Sequence, residues 1–245
     1  MTKWDHYSTF CDCFLHFVHT YTFFIFCLVL YVFLTWFVFV KKMENNNSKS
    51  TTSQITFSPS RQLILWLMIS IVMLFAGLTS SVIVSLGNGK MITFSIPALM
   101  WISTCTIILS SLILERNYFQ LKTGKMAIFI RESKLSLIFG FVFLLLQLLA
   151  FIKLYQQGIH ISSDISYSYL YLLTFTHGIH LTVAIVYGIW VFFRLHKTAS
   201  HSLMLFGNFR LLWHFLTVLW LYLFLFLLLI LSWTHKLLIS TLQTL

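Results

Sequence analysis

Trp213-His214-Phe215-Leu216-Thr217-Val218-Leu219-Trp220-Leu221-Tyr222 is the stretch that decides the fold, and it lies inside an apolar run from about Phe209 to Trp233. A second apolar run, from about Tyr167 to Phe193, carries Thr176-His177-Gly178-Ile179-His180-Leu181. Runs of this length and polarity are membrane helices, because about 20 apolar residues cover the roughly 30 Å hydrocarbon core. Histidines inside such runs are uncommon, since a polar side chain in hydrocarbon must find a partner. These positions therefore report how the last two helices meet.

The composition agrees. Of 245 residues, 59% are apolar and 9% charged, against about 25% charged in a soluble domain. Such a chain cannot present a charged surface on all sides, so lipid must cover most of it and an integral membrane protein is expected. The net charge of +10 would suggest nucleic acid in a soluble protein. Here its placement reads as membrane orientation, and no nucleic-acid partner is expected. Heavy use of Phe, 26 residues, points to AT-rich coding of the kind found in organelle genomes. Cys11, Cys13, Cys27 and Cys105 form no C-x-x-C pair and read as small apolar residues rather than metal ligands or disulfides. The N-terminus is aromatic, holds two of the six acids and has its first arginine at Arg61, which does not fit a transit peptide.

Taken in order, Phe14–Val40 is one long apolar run ended by Lys41-Lys42, followed by an Asn-, Ser- and Thr-rich loop up to Ser60. A second span runs from about Gln62 to Ser85, with Gly77, Ser81 and Ser85 as a small-residue stripe that would let helices approach closely. A third, about Ile92 to Leu114, admits Pro97 in its first turns, and Glu115 to Lys134 reads as a basic connector. A fourth, about Leu135 to Tyr155, carries Gln147, and the two histidine-bearing runs complete the chain. Ala184 and Gly188 continue the face of His180, which marks that face as turned to protein. The fold expected is all-α, an integral membrane helical bundle of about six transmembrane helices. Residues 1–60 would form an N-terminal helix plus polar loop, and 61–245 a five-helix core. With six spans, twelve Lys and Arg fall on one side and Lys3, Lys90, Lys153 and Lys236 on the other. That bias places both termini on the outer side.

No catalytic constellation is expected. Asp5, Asp12, Glu44, Glu115, Glu132 and Asp164 all fall in loops or near span ends, whereas proton carriers generally need a carboxylate at membrane depth. His177 and His180 stand three apart, a spacing open to metal, but no Cys, Asp or Glu accompanies them at depth. A bond to a hydroxyl, a carbonyl or a lipid is the plainer reading. Haem would need facing histidines at equal depth, and the pairs His6/His19 and His201/His214 each have one member outside an apolar span. Trp36, Trp66, Trp190 and Trp233 read as interfacial anchors. Arg61, Arg116 and Arg210 read as phospholipid headgroup ligands or as snorkelling side chains.

His177-Gly178-Ile179-His180 resembles the H-G-x-H of cytochrome c oxidase subunit III, and Trp213-His214-Phe215 with Val218 and Trp220-Leu221-Tyr222-Leu223 resembles the final helix of that family. Phe206-Gly207, Ser70–Gly77 and Leu145-Leu146-Gln147 resemble further family segments in the same order, so that the likeness covers roughly residues 61 to 233. Ile71, Ala150 and Thr217 stand where the family usually has carboxylates, and Asn208 and its neighbours do not supply another. One helix rather than two precedes Arg61, one fewer than the family's usual seven in all.

The resemblance implies a non-catalytic subunit of the terminal respiratory oxidase, respiratory complex IV, in the mitochondrial inner membrane with both termini on the intermembrane-space side. Its partners would be subunit I above all, other complex IV subunits and phospholipids. It would hold no cofactor itself, with haem and copper in partner subunits. Arg61, His177, His180, Arg210, Trp213, His214 and Trp220 are the structural or lipid-binding candidates. The alternatives are a cytochrome b-like haem-binding membrane subunit, or a small transporter.

Overall fold

The computed structural model describes residues 59–87, 97–122, 126–157, 165–195 and 202–243. Among them the regular structure is all α-helix: α1 Pro59–Gly87, α2 Ala98–Lys122, α3 Met126–Gln156, α4 Ile165–Leu195 and α5 Ser202–Gln243. All five are long and apolar enough to cross a membrane, so this is a multi-pass helical membrane protein. The expected first span, Phe14–Val40, and most of the polar loop after it lie outside the described residues.

The chain divides into two compact units, 1–89 and 90–245. In the first, α1 buries one stripe, Met68, Ile71, Phe75, Thr79 and Val82, at steps of three and four that keep them on one face. The expected small-residue face is a different one. Gly77 is exposed, and a Cβ placed on it would meet nothing within 4 Å.

In the second unit, α2 packs on α3, α3 on α4, α4 on α5 and α5 back on α2, with successive helices antiparallel. One buried stripe of α2 is Met100, Ser103, Ile107, Ser110, Leu114 and Asn117. The facing stripe of α3 is Phe129, Ser133, Ser136, Gly140, Phe143, Gln147, Ala150 and Leu154. Alternating steps of three and four average 3.5 residues, the repeat of helices that cross at about 20° and interlock side chains along their length. Helix α5 is the centre: 61% of its membrane window is buried, against 28–39% for α2, α3 and α4.

Two expectations need correction. The basic connector Glu115–Lys134 is mostly helix, because α2 runs on to Lys122 and α3 begins at Met126. Arg, Glu and Lys are good helix formers, and the two ends hold each other. Asn117 Nδ2 donates to Ser133 Oγ at 2.6 Å, and Arg116 Nε lies 3.8 Å from Glu132 Oε1. The apolar spans Ala98–Tyr118 and Ile128–Gln156 take in Glu115 and Glu132 within one turn or so of their ends, so both acids stand near span ends, as expected. The other correction concerns the start of α2, which lies at Ala98, directly after Pro97. Proline disfavours helical geometry in the residue before it, and Pro97 O accepts the Met100 amide at 3.0 Å.

Candidate functional site: a two-layer polar interface at the central helix

The first layer joins α2, α3 and α5. Ser110 Oγ donates to Ser136 O at 2.8 Å and Ser136 Oγ donates back to Ser110 O at 3.0 Å. Trp213 Nε1 adds a donation to Ser110 Oγ at 3.2 Å. Small side chains at 110 and 136 let the helices approach until each hydroxyl reaches the other backbone, which satisfies groups that lipid cannot. The indole of Trp213, fully buried, lies over Gly140. A Cβ at that glycine would stand 2.5 Å from Trp213 Cη2. Phe209 takes the same place over Gly188 of α4, 2.6 Å from its notional Cβ.

One turn along, the layer becomes charged. Arg210 Nη1 donates to Glu115 Oε1 at 2.9 Å and to Oε2 at 3.2 Å. Its guanidinium lies 3.7 Å from the ring centre of Tyr118, a cation–π contact. His214 Nε2 meets Glu115 Oε2 at 3.0 Å, and His214 Nδ1 meets Ser111 Oγ at 2.5 Å. A carboxylate only accepts, so Nε2 carries a proton and donates to Glu115. The side chains of Arg210 and His214 are 7% and 15% exposed, while that of Glu115 is 38% exposed. The carboxylate therefore retains contact with its surroundings, and the cation that answers it is sealed inside the bundle.

The second layer lies two turns away and is aromatic. His177 of α4, buried, sits 5.1 Å from Trp220 of α5 and 6.1 Å from Phe143 of α3, centre to centre. Trp220 and Phe143 meet edge to face at 5.1 Å, the geometry that the ring quadrupole favours. Trp220 Nε1 donates to Thr104 Oγ1 of α2 at 3.0 Å, so all four helices meet here. Nearby, Gln147 Nε2 donates to Ser103 Oγ at 2.7 Å. Ile107, fully buried, lies between the two layers.

Of the candidates read from the sequence, the structure unites His177, Arg210, Trp213, His214 and Trp220 along α5 and its contacts. His180 lies on the flank of α4, with Nδ1 2.7 Å from Thr176 O. Ala184 and Gly188, four and eight residues on from His180, are buried, as expected of a face turned to protein. Arg61 belongs to α1 in the other unit and is half-buried. Trp66 and Trp190 are 62% and 46% exposed, as interfacial anchors would be. The sequence reading missed Ser111, Glu115 and Tyr118. Helical spacing could have found the charged group, since 111, 115 and 118 share a face of α2 as 210 and 214 do on α5. The positions where the resemblance led to an expected carboxylate, Ile71, Ala150, Asn208 and Thr217, are all buried.

Among the described residues no group of three or more His, Cys, Asp or Glu is placed to hold a metal ion. Both ring nitrogens of His214 are engaged within the protein. Comparison with the models of known protein families and with curated proteins finds no match to this chain.

Proposed function

We propose that this protein is a non-catalytic membrane subunit of a terminal respiratory oxidase, of the cytochrome c oxidase subunit III kind. On this reading it braces the partner that carries haem and copper, chiefly subunit I, in the mitochondrial inner membrane, and holds phospholipid at its basic end. It belongs to an oxidoreductase without housing its reaction centre.

The observation that carries the reading is the contact between His177 and Trp220. Here the H-G-x-H segment and the W-H-F…W-L-Y segment, written about 40 residues apart in the chain, become one packing unit. Around it the motif residues do structural work: Trp213 fills the hollow at Gly140, and His214 ties α5 to α2 through Glu115 and Ser111. A brace needs side chains used up in holding helices together, and these are.

Extraction of the native membrane in mild detergent followed by mass spectrometry tests it. The chain should travel with a haem- and copper-containing partner and with phospholipid, and the isolated chain should show no haem absorbance. A chain that migrates alone, or an isolated chain with a bis-histidine haem spectrum, overturns the reading.

A further inference from the structure

Gln147 of α3 and Thr174 of α4 are 5% and 3% exposed. Gln147 Oε1 and Thr174 Oγ1 are both buried and make no hydrogen bond in the structure. In a membrane interior such groups are expensive to leave unanswered, because no lipid atom can replace the bond that water would give.

The contacts between the two helices place this pair at one level. On one side Phe151 packs on Tyr171 at 5.1 Å. On the other, Phe143 lies 6.1 Å from His177, and Leu144 Cδ2 is 3.8 Å from the notional Cβ of Gly178. Gln147 lies midway along α3 between these contacts, and Thr174 midway along α4, so the antiparallel register sets them opposite each other.

The chemistry of the two groups is complementary. Ser103 gives its one hydroxyl hydrogen to Met100 O at 2.9 Å, so towards Gln147 it can only accept. That fixes the amide nitrogen as the atom facing Ser103 and leaves Oε1 as an acceptor. The Thr174 hydroxyl is a donor and an acceptor. What answers both must be small, must donate to an amide oxygen and must accept from a hydroxyl.

We propose that one internal water molecule is bound between α3 and α4 at this level, donating to Gln147 Oε1 and accepting from Thr174 Oγ1. It links Ser103 of α2, Gln147 of α3 and Thr174 of α4 into one hydrogen-bonded line beside His177. Buried waters commonly join two to four polar groups in this way. The site stands independently of the respiratory reading, because it uses only the packing of α2, α3 and α4.

A cryo-electron microscopy map of the full-length protein tests this, in its native assembly or with an antibody fragment as fiducial, at a resolution that shows ordered water. The expected result is a peak about 2.8 Å from both oxygens, kept in Thr174→Ser and lost in Thr174→Val. Thermal midpoints supply a second readout. Thr174→Val and Gln147→Leu should each lower the midpoint by about 2–4 °C, on the scale of one lost hydrogen bond. The double variant should fall no further than the worse single one. A direct bond between the two side chains, a Thr174 hydroxyl bonded to its own helix, a peak that survives Thr174→Val, or fully additive losses would each overturn the proposal.

Discussion

Trp213 stands where Gly140 has no side chain. Its Cη2 and Cζ2 atoms lie 2.5 and 2.7 Å from the position a Cβ would take on that glycine. The two residues belong to α5 and α3, and their fit sets how closely the central helix approaches its neighbour. The same indole reaches past the glycine to Ser110 of α2, so one side chain fixes two helix separations.

Gly140→Ala should therefore destabilise the protein, by about 1–3 kcal/mol as for other overpacked interiors, and Gly188→Ala should behave alike because Phe209 crowds it. Gly77→Ala is the control. A Cβ there meets nothing within 4 Å, so the helix preference for alanine should leave stability unchanged or raise it by up to about 1 kcal/mol. Thermal unfolding in detergent, followed by tryptophan fluorescence, separates the cases. Equal behaviour at Gly77 and Gly140 would refute the fit.

Glu115→Gln should be markedly destabilising, because the sealed guanidinium of Arg210 loses its counter-charge. Breaking a buried pair typically costs about 3–5 kcal/mol, and the 38% exposure of the carboxylate brings the expectation down to roughly 1–3 kcal/mol. Adding Arg210→Met to Glu115→Leu should restore part of the loss, as replacement of a whole buried pair often does. If the double variant is worse than either single one, the pair is not the unit described.

Trp220→Phe keeps the ring contacts with His177 and Phe143 but removes the donor to Thr104. Its coupling to Thr104→Val in a double-mutant cycle should be about 0.5–1.5 kcal/mol. Zero coupling would mean that the bond does not form.

On the bracing role proposed above, His214→Leu should weaken assembly with the oxidase partner, since Ser111 and Glu115 of α2 each lose a partner on α5. Haem absorbance of whatever complex remains should not shift. A shifted spectrum with assembly intact would contradict a bracing role and point to a direct effect on the reaction centre.

The helices themselves were legible because hydrocarbon imposes a length and a polarity that the chain displays openly. The α5 residues were legible for a related reason, since an indole or imidazole inside an apolar run stands out. Glu115 was not. It sits where an apolar run gives way to a basic one, and composition alone assigns such a residue to the connector. Only the partner helix shows that Arg210 and His214 are drawn up opposite it. Gly77 misled for the converse reason: a small residue permits close approach, and nothing in one helix says whether a neighbour uses the permission. The seam of Ser103, Ser110 and Asn117 lay in plain view at intervals of seven. Its meaning depended on Gln147, Ser136 and Ser133, the partners that α3 sets against it in the opposite direction.

Those pairings make α2 a toothed rack whose teeth engage at Gln147, Ser136 and Ser133. Removing one residue between Ser103 and Asn117 would turn everything beyond the cut by about 100°. The teeth on one side would miss, and Glu115 would swing away from its cation. Point changes on the outer face of α2 should be absorbed, but a change in its length should not, so this segment is held to a fixed count of residues more strictly than to their identity.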